Sequence, residues 1–168
     1  MEFSGDKSGP AVFGPTWGKK MWGGIVENCR GDNVARELIV GASGNVSPEE
    51  VLASDPDVII LAGNYIGDSA KNVGLGYGAD RAQAMSNLRG YCERPGWNDI
   101  SAVRAKRMGA LYHDLSRHIF DVAGMQFIAK MLYPDVFSDV NPDETLNEFY
   151  RRFFPIEPAG TFMIKLDE

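Results

Sequence analysis

The groups in this sequence that could do chemistry are few, and none forms a reacting pair. Leu115-Ser116-Arg117-His118 gathers a hydroxyl, a guanidinium and an imidazole within four residues. A planar, permanently charged guanidinium can fork onto a carboxylate or phosphate. Arg117 is therefore a candidate anion contact, and Arg94, before Pro95, is a second. His118 or His113 supplies an imidazole that can reach a metal. The same residues also have a plain reading: Ser116 caps the next helix, His118 packs inside it, and Arg94 sits in a surface turn. Trp17, Tyr65 and Tyr77 offer large rings with few rotamers, the surface that grips a broad planar or chelate ligand. Trp17 also reads as the start of an apolar helix stripe. Trp97, after Pro95-Gly96, reads as a structural anchor.

Other signals exclude whole classes of chemistry. No nucleophile–base pair or carboxylate dyad can be placed. No Cys-x-x-Cys or His-x-x-x-His spacing marks a zinc site. Gly74-Leu75-Gly76-Tyr77-Gly78 lacks the G-x-G-x-x-G order between strand and helix, and no G-K-S/T follows, so it is not a phosphate loop.

The elements that must position these residues read as alternating strands and helices. Ser47 to Ser54 is a short capped helix, with Ser47 as cap, Pro48 in the first turn and Glu50 where a capping box needs a carboxylate. Asp55-Pro56-Asp57 stops it. Val58 to Leu61 is an apolar run without alternation, as in a strand covered on both faces. Met1-Glu2-Phe3 reads as the end of a strand, Met108 to His113 as another, and Gly160 to Ile164 as an edge strand. Met21, Trp22, Ile25, Val26 and Cys29 form one helical stripe, predicting a helix over 17–28. Val34 to Leu38 adds a further turn. Helices are predicted over 79–88 and 99–105. Two more follow, one with Val122, Met125, Ile128, Ala129 and Leu132 as its stripe, the other with Leu146, Phe149, Tyr150 and Phe153. The pattern predicts one domain over 1–168, a three-layer α/β sandwich with a mostly parallel central sheet, a Rossmann-like lobe. Ligands of such sheets sit beyond the carboxyl ends of the strands. That places the loops 4–16, 62–78 and 114–118 at the working edge.

The 168 residues suffice for one sizeable core. A net charge of -6 argues against a nucleic-acid partner. No run reaches the roughly 20 apolar residues of a membrane helix. Met1 to Lys7 shows no signal-peptide pattern. Cys29 and Cys92 make no disulfide framework, and Cys29 on a helix stripe reads as a buried free thiol.

Several segments resemble one family in order and spacing. Gly31-Asp32-Asn33-Val34-Ala35 is similar to the "GG-E/D-N-V-A" turn of class III periplasmic substrate-binding proteins, the receptors of ABC importers for ferric siderophores, haem and cobalamin. Val46 to Leu61 resembles their "S-x-E-x-L…x-PD-x-I-I" segment. Trp97 with Ile100, Ala102, Val103 and Arg107 resembles "W…I-x-A-V-K-x-x-R-V-Y". Tyr133-Pro134-Asp135-Val136-Phe137 resembles the end of their last long helix. The likeness spans about residues 1–155 and covers the C-terminal lobe of a two-lobed receptor. Cys29-Arg30-Gly31 departs from the usual Ala-Gly-Gly, and the Gly-rich loop after the second strand is longer than the family's.

The resemblance implies a non-enzymatic, periplasmic or extracellular binding protein, with lipid anchoring left open, and expected to be a monomer. Its partners would be an ABC importer permease and a metal-chelate small molecule: an iron chelate, haem or cobalamin. No covalent cofactor and no protein-held metal are implied. Glu49 occupies the position at which the family pairs with permease arginines, although a first-turn acid is also favoured by the helix dipole. The ligand contacts would be Trp17, Tyr65, Tyr77, Arg94, Arg117 and His118. The alternative is a cytoplasmic α/β enzyme holding a nucleotide or phosphorylated substrate, with Arg117 and Arg94 as anion contacts.

Overall fold

A computed structural model describes residues 1–154 and 156–166. Its frame is a sheet ordered β1-β2-β4-β6. β1 (Glu2–Ser4), β2 (Ile59–Gly63) and β4 (Met108–Tyr112) run parallel, with Glu2 opposite Leu61 and Ile59 opposite Met108. β6 (Met163–Lys165) closes the far side antiparallel to β4. This is the mostly parallel α/β sheet predicted; of the edge strand predicted over 160–164, only the end from Met163 joins this sheet. A separate ribbon pairs β3 (Gly76–Tyr77) with β5 (Gly160–Thr161).

Side chains of successive strand residues point to opposite faces, and both faces are covered. Ile60, Ala62 and Leu111 pack under α1 (Trp22–Asn28), α5 (Asp121–Leu132) and α6 (Pro142–Phe153). Ile59, Leu61, Met108 and Ala110 pack under α3 (Arg81–Cys92) and α4 (Ser101–Arg104). The result is three layers. β2 is buried along its whole length, which explains the absence of alternation in its sequence.

Local chemistry fixes the ends of the elements. α2 (Pro48–Ser54) carries the predicted capping box: Ser47 Oγ accepts from Glu50 N at 3.1 Å, and Glu50 Oε2 accepts from Ser47 N at 2.9 Å. Asp55 ends that helix in the left-handed region at φ 37°, and its carboxylate accepts from Ser101 N and Oγ at 2.6 and 2.9 Å. The strand predicted over 58–61 begins one residue later, at Ile59, after the bend at Asp57, and runs on to Gly63.

The helix predicted over 17–28 is a correction. It begins only at Trp22. Thr16 is held in bridges to Glu2 and Gly44, and Met21 has φ 49°, so 17–21 forms an irregular turn. Cys29 and Cys92 are both free thiols. Burial pushes the Cys29 thiol up.

Candidate functional site: the carboxyl edge of the sheet

The carboxyl ends of β1 and β2 are tied together from below. Asn72 Nδ2 donates to Ser4 O and Asn64 O at 3.1 and 2.9 Å. Asn87 of α3 braces that loop by donating to Ala70 O and Asn72 O. Ser4 Oγ shares a 2.6 Å hydrogen bond with Tyr91 OH and accepts from Val73 N at 2.9 Å. The loop after β2 then returns to the same edge, where Tyr65 N donates to Leu75 O at 2.9 Å.

That return delivers the aromatic residues. Gly76 and Gly160 have φ of 112° and 137°, a region L side chains rarely adopt. A Cβ on Gly160 would meet Gly76 O at 2.1 Å, so only glycine lets the two strands of the ribbon approach this closely. Tyr77 is thereby laid edge-on to Tyr112 and Phe162, centroids 6.0 and 5.1 Å apart. Its hydroxyl is hydrogen-bonded to Tyr150 OH of α6. The rings continue from Tyr150 to Phe120 at 5.7 Å and from Phe120 to His118 at 4.8 Å, stacked. Tyr77 is 48% exposed and Tyr65 38%, so both present ring surface to solvent at this edge.

The charges of the edge are mutually engaged. Asp114 accepts from Arg117 Nη1 at 3.3 Å and from Tyr112 OH at 3.2 Å. Burial, then Asp114, pushes the Tyr112 phenol up to about 12. Burial and the Tyr77 hydroxyl raise Tyr150 as well. Tyr65 donates its hydroxyl to Asp68, which pushes its phenol pKa up. The phenols therefore stay protonated at neutral pH and act as hydrogen-bonding hydroxyls.

The structure thus brings Tyr65, Tyr77, Arg117 and His118 to one edge. It removes two predicted ligand contacts from it. Trp17 is only 4% exposed, stacked on His113 at 5.4 Å and edge-on to Phe3 at 6.3 Å, so it is core. Arg94 is 3% exposed and lies by the start of β1, at the opposite end of the sheet. It grips the Glu2 carboxylate through Nη1 and Nη2 at 2.6 and 2.8 Å, and donates to Pro10 O and Val12 O. The rings of Phe13, Tyr91 and Trp97 surround it at 4.0 to 4.7 Å. A buried cation needs such partners, and a guanidinium so enclosed is not open to a ligand. The loss of Arg94 also takes away the second anion contact of the enzyme alternative. Trp97 is the anchor expected, 1% exposed.

Sequence reasoning missed Tyr112, Tyr150 and Phe162. Tyr112 falls near the end of the strand predicted over 108–113, and the structure ends that strand at Tyr112, one residue earlier, which puts it at the edge. Tyr150 read only as part of the α6 stripe. Glu49 is exposed on the first turn of α2, while Glu50 is taken by the capping box. A cavity of about 530 Å³ lies elsewhere, between the end of α5 and β6, lined by Arg107, Lys130 and Lys165 among others, and holds none of the candidate residues. Among the described residues no three His, Cys, Asp or Glu side chains converge as metal ligands.

No family model and no curated protein matches the chain. Solved structures do. FepB, a TroA-like periplasmic binding protein from Veillonella parvula, aligns with 99% of this chain and 48% of its own, at 31% identity and a TM-score of 0.91. A periplasmic solute binding protein from Veillonella parvula DSM 2008 aligns with 93% of this chain and 43% of its own, at 19% identity and 0.58. The molybdate periplasmic binding protein MolA of a Haemophilus influenzae ABC transporter, bound to molybdate, aligns with 95% and 44%, at 22% and 0.59. The last two share the fold alone. The chain spans about half the length of each of these three proteins.

Proposed function

The chain has the fold of one lobe of a class III, TroA-like periplasmic binding protein, and we propose that it is the ligand-gripping lobe of the substrate-binding component of an ABC importer. The reading is supported above all by the 0.91 likeness to FepB over 99% of the chain, taken with an edge that is open rather than enclosed. An open face of exposed rings holds a ligand well only when a second surface closes on it. In this reading the second surface is another lobe, and capture is a limited hinge closure around the ligand. The lobe needs no catalytic group.

The ligand we infer is an iron chelate, haem or cobalamin. Tyr65 and Tyr77 offer broad, partly exposed ring contact. Arg117 is paired with Asp114 at 3.3 Å, and the carboxylate beside it weakens its pull on a bare oxyanion. A large chelate gains contact area without relying on that pull. Glu49, exposed beside the capping box, is the proposed docking carboxylate for arginines of the permease, a role that sets register and encounter rate more than affinity. In this reading the receptor works in the periplasm or outside the cell.

Calorimetric titration of the chain with haem, a ferric chelate, cobalamin and molybdate tests the proposal. Binding to one of the three large ligands is expected in the micromolar range or weaker, because half the contacts are missing, and Tyr77→Ala should weaken it further. Nanomolar affinity for the isolated lobe would contradict the shared-site reading. Selective binding of molybdate would contradict the ligand class.

A further inference from the structure

Of the two histidines in the chain, one is buried, and it joins three separately placed segments. His113 is the first residue past β4 and 6% exposed. Its Nδ1 accepts a hydrogen bond from Trp22 Nε1 of α1 at 3.1 Å. Its ring lies 4.6 Å from that of Phe3 in β1 and stacks on Trp17 at 5.4 Å. An indole N–H can only donate. Nδ1 must therefore keep its lone pair, and the ring is neutral with its proton on Nε2. A second proton would set N–H against N–H inside a pocket of rings.

We propose that His113 is an acid-released latch for the carboxyl-edge loops: protonating Nδ1 breaks the Trp22 hydrogen bond and frees both the 17–22 segment and the turn that carries Asp114 and Arg117. The charges acting on the ring sit on its own turn. Arg117 opposes a second positive charge, and Asp114 favours it. The segments packed on the ring contribute Phe3, Trp17 and Trp22. Of the charged residues on those segments, Glu2, Lys19 and Glu27 are engaged by Arg94, Glu37 and Arg36, and Lys20 is exposed. Burial, then Arg117, holds the imidazole below its ordinary value. A histidine buried neutral leaves stability intact above the ordinary imidazole pKa. It withdraws stability as pH falls through that value toward the lower folded one. Acid therefore weakens the latch. Any consequence for ligand grip rests on the function proposed above; the latch itself does not.

The His118→Gln chain leaves His113 as the single imidazole. Nitrogen-15 NMR of that chain should show the Nε2–H tautomer at neutral pH and titration below the ordinary imidazole range. Amide protection over 17–22 and 113–118, corrected for intrinsic exchange, should fall about tenfold for each unit by which the pKa is depressed. Trp22→Phe keeps a ring and removes the donor, so it should move the titration back toward the ordinary value and flatten the pH dependence of protection. An ordinary titration in the His118→Gln chain, or protection that does not change across it, overturns the latch whether or not Trp22→Phe folds. A titration that Trp22→Phe leaves unmoved overturns it equally.

Discussion

Arg94 and Glu49 are both charged residues near a turn, and burial separates their roles. Arg94 is almost wholly enclosed and bonded to Glu2 in a forked pair. Removing one partner of a buried pair strands the other charge, so Arg94→Met should cost about 3–5 kcal/mol in denaturant unfolding. Arg94→Lys should not restore it, because one ammonium cannot reach Glu2, Pro10 O and Val12 O in the same plane. A loss under about 1 kcal/mol, the range of exposed pairs, would show that the clamp is not what holds β1. Glu49 stands at the other extreme. It is exposed and has no role in the capping box. Glu49→Ala should leave the unfolding midpoint within about 0.5 kcal/mol of the parent. Under the proposed function it should slow association of the intact receptor with permease in proteoliposomes, most visibly at low salt. Unchanged association would remove Glu49 from docking.

The ribbon of β3 and β5 is the element that sets the candidate site, and it depends on two glycines. Gly160→Ala adds a Cβ that meets Gly76 O at 2.1 Å and also forces a positive φ of 137°. Gly67→Ala meets nothing within 4 Å and carries backbone strain alone, at φ 116°. The first should therefore cost more than the second, which sets a baseline of about 1–3 kcal/mol for strain. Only the first should shift the NMR resonances of Tyr77 and Tyr150. Equal effects from the two would mean that the close approach does not position Tyr77. This element also marks how far the sequence could be read. β2, β4, the α2 capping box and the long helices were legible because pattern and end signals agreed locally. The start of α1 was not, because Trp17 continues the helical stripe while bridges from Thr16 to Glu2 and Gly44, distant in sequence, hold the chain out of the helix. Arg94 was misread for the same reason: its partner Glu2 lies 92 residues away. Tyr65 and Tyr77 could be placed at the edge from loop position, but the Tyr77–Tyr150 contact joins a loop to a helix stripe that read as plain core.

At the scale of the whole molecule, one sheet serves two cores. Ile60, Ala62 and Leu111 belong to the layer of α1, α5 and α6, and Ile59, Leu61 and Ala110 to the layer of α3 and α4. Because these residues alternate along the same strands, neither layer can melt without exposing one side of β2 and β4, and a slip of one residue would exchange the two sets. The layers should therefore unfold together. The tryptophans report on them separately, since Trp17 and Trp22 lie in one core and Trp97 in the other. Trp97→Phe leaves fluorescence to the first core, and Trp17→Phe combined with Trp22→Phe leaves it to the second. Each variant should give a fluorescence transition that coincides with its own far-ultraviolet circular dichroism transition, as one cooperative unit requires. Leu111→Ala and Leu61→Ala, one in each core, should each lower that shared transition by about 2–5 kcal/mol. Transitions that separate, with the α3 and α4 layer melting first, would mean that the sheet does not couple its faces. The carboxyl edge would then rest on the α1, α5 and α6 layer alone.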